Sequence, residues 1–290
     1  MTPPLDIDSI PNELVNEIRA IILQKIEEDP DKFHESDVNR FEKTNEMVYR
    51  FLIDYFEDTN AKEIPSDTTE KVSKNILATL FWRKDFGTNT SQDSDFPREF
   101  YTNHLFQLGQ LADGTPLLIL NSRKLIRLRQ WSNIYLRFIV HETEKIANKA
   151  LSAPDFFHKP RIQCIADTTE IGLAQCDISF IFSIIPIFLN HYPQSFQTIW
   201  LYELPYFAKY FKGLVMKTLP TRITKRIMFT DRKSLAKDMG PENVPAIFYG
   251  GKSKHPLKDL VSSEASTLKD VARRNKIPES EVDKMMALIV

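Results

Sequence analysis

The sequence predicts an α/β protein, with a helical N-terminal region followed by a domain built on a mostly parallel sheet. Three observations lead there. The first 86 residues contain no glycine and carry apolar stripes at helical spacing. From about Leu105 the period changes to strand-length, nearly continuous apolar runs, and helical segments separate those runs. Strands covered on both faces read as continuous rather than alternating, and strand–helix–strand order implies right-handed crossovers between parallel strands.

Taken in order, Leu14, Ile18, Ile21, Ile22 and Ile26 form the first helical stripe. Val48, Phe51, Leu52, Tyr55 and Phe56 form a second, after a start signal at Ser36-Asp37. Ile76, Leu77, Leu80 and Phe81 form a third within Asn75–Phe86, with Gly87 placed as its C-cap. Residues 88–95 are polar and predict a loop. Strands are predicted at Pro116–Leu120, Arg161–Ala166, Ile199–Tyr202 and Arg226–Thr230. Helices are predicted at Trp131–Ala150, Asp177–His191 and Arg232–Lys237, with two more at Thr267–Lys276 and Pro278–Leu288. The expected organisation is a helical region at 1–96, an α/β domain at 97–252 and a helical tail at 253–290.

The net charge of −1 conceals a segregation. Residues 1–70 hold 18 acids and 7 bases, while the rest hold 21 acids and 31 bases, so the basic body suits an anionic partner such as a phospholipid surface. Cys164 and Cys176 are too few for a disulfide framework or a four-cysteine zinc site, and their apolar neighbours predict buried, reduced thiols. Met1–Ile10 shows no basic n-region and no apolar core. The longest apolar run, Ile178–Leu189, includes Ser183 and Pro186 and is too short for a bilayer core of about 30 Å. The expected location is the cytoplasm, with peripheral contact to membranes.

Enzymatic signatures are missing. There is no G-x-G-x-x-G, Gly251-Lys252-Ser253 lacks the earlier glycine of a P-loop because Ala246 stands there, and no G-x-S-x-G elbow occurs. His141-Glu142-Thr143-Glu144-Lys145 lacks the second histidine of a zincin, and the six histidines show no ligand spacing. Asp167 and Glu170 are read as a strand-end cap rather than an acid–base pair. No catalytic residue, metal or cofactor is assigned, and no recognition motif for nucleic acid accompanies the basic residues.

The stretch after Pro205 carries the functional signal. Tyr206, Phe207, Tyr210, Phe211, Leu214 and Val215 recur at one face of a helix, while Lys209, Lys212, Lys217, Arg222, Lys225 and Arg226 follow with no acid among them. Such a helix suits movement between an apolar interior and a membrane surface. Each large apolar side chain buried is worth about 1.5–3 kcal/mol, so six on one face amount to on the order of 10 kcal/mol. A nearby base adds only about 1 kcal/mol on an anionic surface. Apolar surface therefore governs opening and the basic residues orient docking. Phe180, Ile184, Ile187 and Phe188 crowd a second helix, and with Trp200 they are the expected lining of an apolar cavity.

The order of these signatures resembles the CRAL-TRIO (Sec14-like) lipid-binding family. Trp82–Gly87 resembles the W-R-K-x-F-G-like turn that closes the family's helical region, and Ile162–Asp167 resembles its strand ending in aspartate. Tyr192-Pro193 resembles the Y-P-E-R turn, the Pro205 stretch its gate helix, and Glu242–Gly251 its closing E-N-L-P…G-G segment. Residues 160–251 look nearest to the subgroup whose domain precedes a motile sperm domain. The resemblance covers about 36–251 and implies a single phospholipid or other hydrophobic ligand, exchanged through the gate helix. An alternative is a lipid-sensing tether or scaffold that docks a protein partner through its terminal helices. Gln194 and Arg226 match the positions that surround the headgroup in phosphatidylinositol-transferring members, which have glutamate and lysine there. The carboxylate is missing in this chain, and the cation is retained.

Overall fold

The protein is represented by a computed structural model, whose described residues are 10–60, 63–102, 105–124, 128–151, 162–172, 178–207, 212–213, 216–217, 219–260 and 262–289. In chain order the helices are α1 (Asn12–Glu28), α2 (Glu35–Lys43), α3 (Glu46–Thr59), α4 (Thr68–Phe86), α5 (Arg98–Thr102), α6 (Ser132–Leu151), α7 (Ile178–His191), α8 (Thr221–Thr224), α9 (Leu235–Met239), α10 (Leu268–Arg274) and α11 (Glu279–Ile289). The strands are β1 (Phe106–Gln110), β2 (Pro116–Asn121), β3 (Ile162–Asp167), β4 (Phe196–Tyr202), β5 (Ile227–Thr230) and β6 (Lys258–Asp259). The chain divides into a helical unit (Met1–Ser91, Ile185–Ser195 and Pro220–Arg222) and a sheet unit containing the remainder.

In the helical unit, α1 buries Val15, Ile18, Ile22 and Ile26 along one stripe, and these join Val48, Leu52 and Phe56 of α3 and Val72, Ile76 and Leu80 of α4 in one core. Helix α2 starts one residue earlier than the Ser36-Asp37 signal implies, with His34 as N-cap accepting a hydrogen bond from the Ser36 amide. Helix α4 ends at Gly87, whose left-handed φ of 78° lets its amide reach the Arg83 and Lys84 carbonyls. Asp37 and Arg83 form an ion pair of 2.8 Å with both side chains nearly sealed, and Asn89 donates to the other Asp37 oxygen at 2.6 Å.

In the sheet unit the strand order is β5-β4-β3-β2-β1-β6. Strands β2, β3, β4 and β5 run parallel, β1 is antiparallel to β2, and β6 is antiparallel to β1. Helix α6 joins β2 to β3, as the apolar pattern predicts. Strand β1 goes unanticipated because its apolar positions are few and Gly109 interrupts them; a Cβ at Gly109 would come 3.0 Å from Leu257. Residues 253–290, expected as a separate tail, count with the sheet unit. They supply β6, the Ser266 hydroxyl donates to the Ser94 carbonyl at 2.6 Å, and Met285 is fully buried with its sulfur 3.9 Å from the Tyr135 hydroxyl.

Leaving one member of a buried ion pair without its partner costs about 3–5 kcal/mol. Asp37→Ala should therefore lower the urea midpoint of unfolding by that equivalent, and Asp37→Leu combined with Arg83→Met should recover much of it. A midpoint unchanged by Asp37→Ala would contradict the assignment.

Candidate functional site

The registers of the parallel strands sort the sheet's side chains onto two faces that differ in cover. One face carries Leu117 and Ile119, Ile165, Trp200 and Tyr202, all buried, against Leu235, Val244 and Phe248. This face is closed over β2, β3 and β4, whereas Met228 of β5, in register with Trp200, is 43% exposed. The opposite face carries Leu118 and Leu120, Cys164 and Ala166, Ile199 and Leu201, and Ile227 and Phe229. Leu118, Cys164 and Ala166 are buried there, whereas Leu120, Ile199, Leu201, Ile227 and Phe229 are only half-buried. An apolar sheet face that loses cover toward its β4–β5 side offers a surface on which an apolar ligand can lie. Near β1 the same face is filled by α6, where Phe138 packs 5.9 Å from Phe106.

The segment after β4 reaches this face. Among its described residues, 206–207, 212–213 and 216–217 have helical backbone. The Lys212 ammonium sits 3.5 Å from the Phe229 ring centroid, a cation–π contact worth about 0.5–2 kcal/mol. Tyr206 is 74% exposed, Phe207 half-buried, and Lys212, Lys217 and Lys225 exposed. Lys209, Tyr210, Phe211, Leu214 and Val215 lie outside the described residues. In α7, Phe180, Ile184, Ile187 and Phe188 are half-buried, while Ser183, Pro186 and Asn190 are exposed.

Two site expectations need correction. Trp200 faces away from the half-covered surface, because side chains alternate along a strand and its register neighbour Ile165 points into the closed core. Its indole donates to Gln163 at 2.9 Å. Arg222 is not a headgroup cation on the surface. Within the helical unit its Nε and Nη1 lie 2.8 and 2.7 Å from Asp54 and Asp58, and its side chain is 12% exposed.

Gln194 belongs to the same polar arrangement in the helical unit. It is buried in a left-handed backbone conformation, and its amide donates to Glu57 at 3.0 Å and to Asp54 at 3.4 Å. A glutamate there would set a third carboxylate against those two, so the neutral amide is what this environment accepts. Arg226, in the sheet unit, donates to the Phe196 carbonyl at 3.3 Å.

One cluster escapes sequence reasoning because its members are far apart in the chain. Asp93, His141 and Glu142 bring their ligand atoms within 4.8 Å of one another. His141 lies 2.7 Å from Asp93, and the Lys145 ammonium lies 2.9 Å from Asp93 and 3.1 Å from Glu142. Burial works to raise the Asp93 pKa, yet hydrogen bonds from Ser262, His141 and Lys145 outweigh it and hold the carboxyl well below the usual range. Burial raises that of Glu142, with Lys145 opposing. Lys145 already supplies the cation between these carboxylates, so the arrangement ties α6 to the 93–95 turn. Cys164, buried and free, has its thiol pushed up to about 12 by burial.

The CRAL/TRIO domain model matches residues 101–251, slightly more than half of the chain. The chain belongs to the CRAL/TRIO family. Its members bind lipophilic ligands, and the half-covered sheet face lies inside the matched residues. The chain is also similar to a solved structure described as the crystal structure of Sfh5, with a TM-score of 0.61 and 17% identity over 83% of this chain and 87% of that one. That likeness concerns the fold. Among the described residues, no helix is long and apolar enough to cross a membrane.

Trp82 and His191 stack at 4.1 Å with an interplanar angle of 2°, and the His191 Nδ1 lies 3.0 Å from the Thr79 hydroxyl. Burial, helped by Arg83, pushes the His191 pKa from 6.5 down to about 4. In the unfolded chain this histidine protonates near 6.5, so the stability it contributes is complete above that pH and lost as pH falls toward about 4. His191→Phe keeps an aromatic ring on Trp82 and removes the proton site. Its urea midpoint should therefore fall less between pH 7 and about 4.5 than that of the wild type; equal losses would contradict the role of His191.

Proposed function

We propose that the chain binds one phospholipid or similar hydrophobic molecule against the half-covered face of its sheet and exchanges it at membranes as the 203–219 segment moves. The observation that carries this reading is the unequal cover of the two faces. Ile199, Leu201, Ile227 and Phe229 form an apolar surface that stays half-buried, next to a segment rich in aromatic and basic residues. Left in water, that surface would forfeit about 25 cal/mol for each Å² exposed. An acyl chain laid on it removes that cost, and an aromatic cover retains the chain.

The membrane supplies what the cytosol lacks. The apolar positions of the segment, Tyr206, Phe207, Tyr210, Phe211, Leu214 and Val215, exchange contact with the ligand for contact with acyl chains at little net cost. Lys209, Lys212, Lys217 and Lys225 stand by for an anionic surface, and Lys212 leaves the Phe229 ring when the segment lifts. Arg222 stays with Asp54 and Asp58 and takes no part in docking. The role is binding and exchange without catalysis. Gln194 stands where the resemblance places the glutamate of phosphatidylinositol-transferring members, which favours a ligand of different headgroup.

Transfer of a fluorescent phospholipid between donor and acceptor vesicles tests the reading. Lys209→Glu, Lys212→Glu and Lys217→Glu together should reduce vesicle binding and exchange in parallel. Leu201→Trp, which fills space on the half-covered face, should lower the amount of lipid that co-purifies while far-UV circular dichroism stays unchanged. Exchange unaffected by the triple variant, or full lipid occupancy in Leu201→Trp, would contradict it. A protein that holds lipid but transfers almost none would instead be a sensor or tether.

A further inference from the structure

The closing segment of the sheet unit displays a feature that lipid exchange does not use. Ile247 and Tyr249 are 66% and 61% exposed, while Phe248 between them is buried, 5.0 Å from Tyr202 on the closed face. Two large side chains of apolar body, exposed two residues apart on one loop, form a small patch of the kind found at membrane contacts. Backbone hydrogen bonds close the loop that displays them. The Phe248 amide donates to Pro245, Gly251 to Phe248, Lys252 to Pro241 and Ser253 to Val244, at 2.7–3.0 Å. A Cβ on Gly251 would come 2.2 Å from the Pro245 carbonyl oxygen, so the tight return of the loop admits only glycine.

Basic residues flank the loop. The Arg232 guanidinium lies 5.4 Å from the Tyr249 ring, and a Cβ on Gly250 would meet Ala236 of α9 at 3.2 Å, so the loop rests against that helix. In the flanking sequence Arg232, Lys233, Lys237, Lys252 and Lys254 are exposed, against the exposed acids Asp231, Asp238 and Glu242. A tyrosine and a branched aliphatic residue on a loop flanked by basic residues fit the headgroup boundary of an anionic bilayer, where an aromatic ring sits half in hydrocarbon and lysines meet lipid phosphates. The loop also stands apart from the exchange segment: Phe248 packs on the closed face, whereas Lys212 rests on Phe229 of the opposite face.

We propose that residues 245–251 form a membrane anchor which inserts Ile247 and Tyr249 into the interface of an anionic bilayer, independently of movement of the 203–219 segment. The test is co-sedimentation with vesicles of phosphatidylcholine, with and without phosphatidylserine. Ile247→Ser with Tyr249→Ser should weaken binding to the mixed vesicles by about tenfold, since each side chain loses part of its apolar transfer energy. Lys252→Glu with Lys254→Glu should weaken binding to the mixed vesicles and leave the weaker binding to pure phosphatidylcholine unchanged. Both positions of the first pair are exposed, so the thermal midpoint should not move, and co-purified lipid should be retained. Tyr249→Trp provides a second readout, an emission blue shift on adding mixed vesicles. Wild-type binding matched by the Ile247→Ser/Tyr249→Ser protein, or no shift from Tyr249→Trp, would overturn the anchor while leaving lipid exchange through the opposite face intact.

Discussion

Everything in the sheet unit depends on the pleat, which sends alternate side chains of each parallel strand to opposite faces. A four-strand parallel core made almost wholly of apolar residues must cover both. The closed face is covered over β2 to β4 by Leu235, Val244 and Phe248, which lock over Ile119, Ile165 and Trp200, while Met228 of β5 is exposed. The other face is covered over β2 and β3 but only partly over β4 and β5, where Ile199, Leu201, Ile227 and Phe229 stay half-buried. The proposed ligand would lie against these half-buried side chains.

Charge follows a similar division between internal use and display. The acidic N-terminal region suggests a solvated face, yet four of its acids are paired within the helical unit. Asp37 holds Arg83, Asp54 and Asp58 hold Arg222, and Glu46 pairs with Arg40 and Arg50. The same acids shape the Gln194 turn, where an amide rather than a carboxylate fits beside Asp54 and Glu57. Basic residues without such acids, among them Lys217, Lys225, Lys252 and Lys254, remain on the surface.

The helical stripes, the Gly87 cap and the four parallel strands were legible in the sequence because each rests on local periodicity. Ile18, Ile22 and Ile26 form a stripe whatever packs on them, and a continuous apolar run such as Leu117–Leu120 announces a strand covered on both sides. What periodicity does not carry is which face each residue meets. Trp200 reads as a cavity residue by size and hydrophobicity, and only its register with Ile165 assigns it to the closed core. Arg222 reads as one more base in a basic run, and only the fold brings Asp54 and Asp58 to it. Asp93 and His141 illustrate the same limit, being 48 residues apart in the chain. The 253–290 segment reads only as a helical tail, because its contacts through Ser266 and Met285 are long-range.

Native mass spectrometry of the gently purified protein tests the central claim most directly. A half-covered apolar sheet face predicts that the folded chain carries one hydrophobic molecule, seen as a single discrete mass increment that denaturing conditions release as a lipid. A folded protein at its bare sequence mass, unable to take up phospholipid from vesicles, would contradict the account.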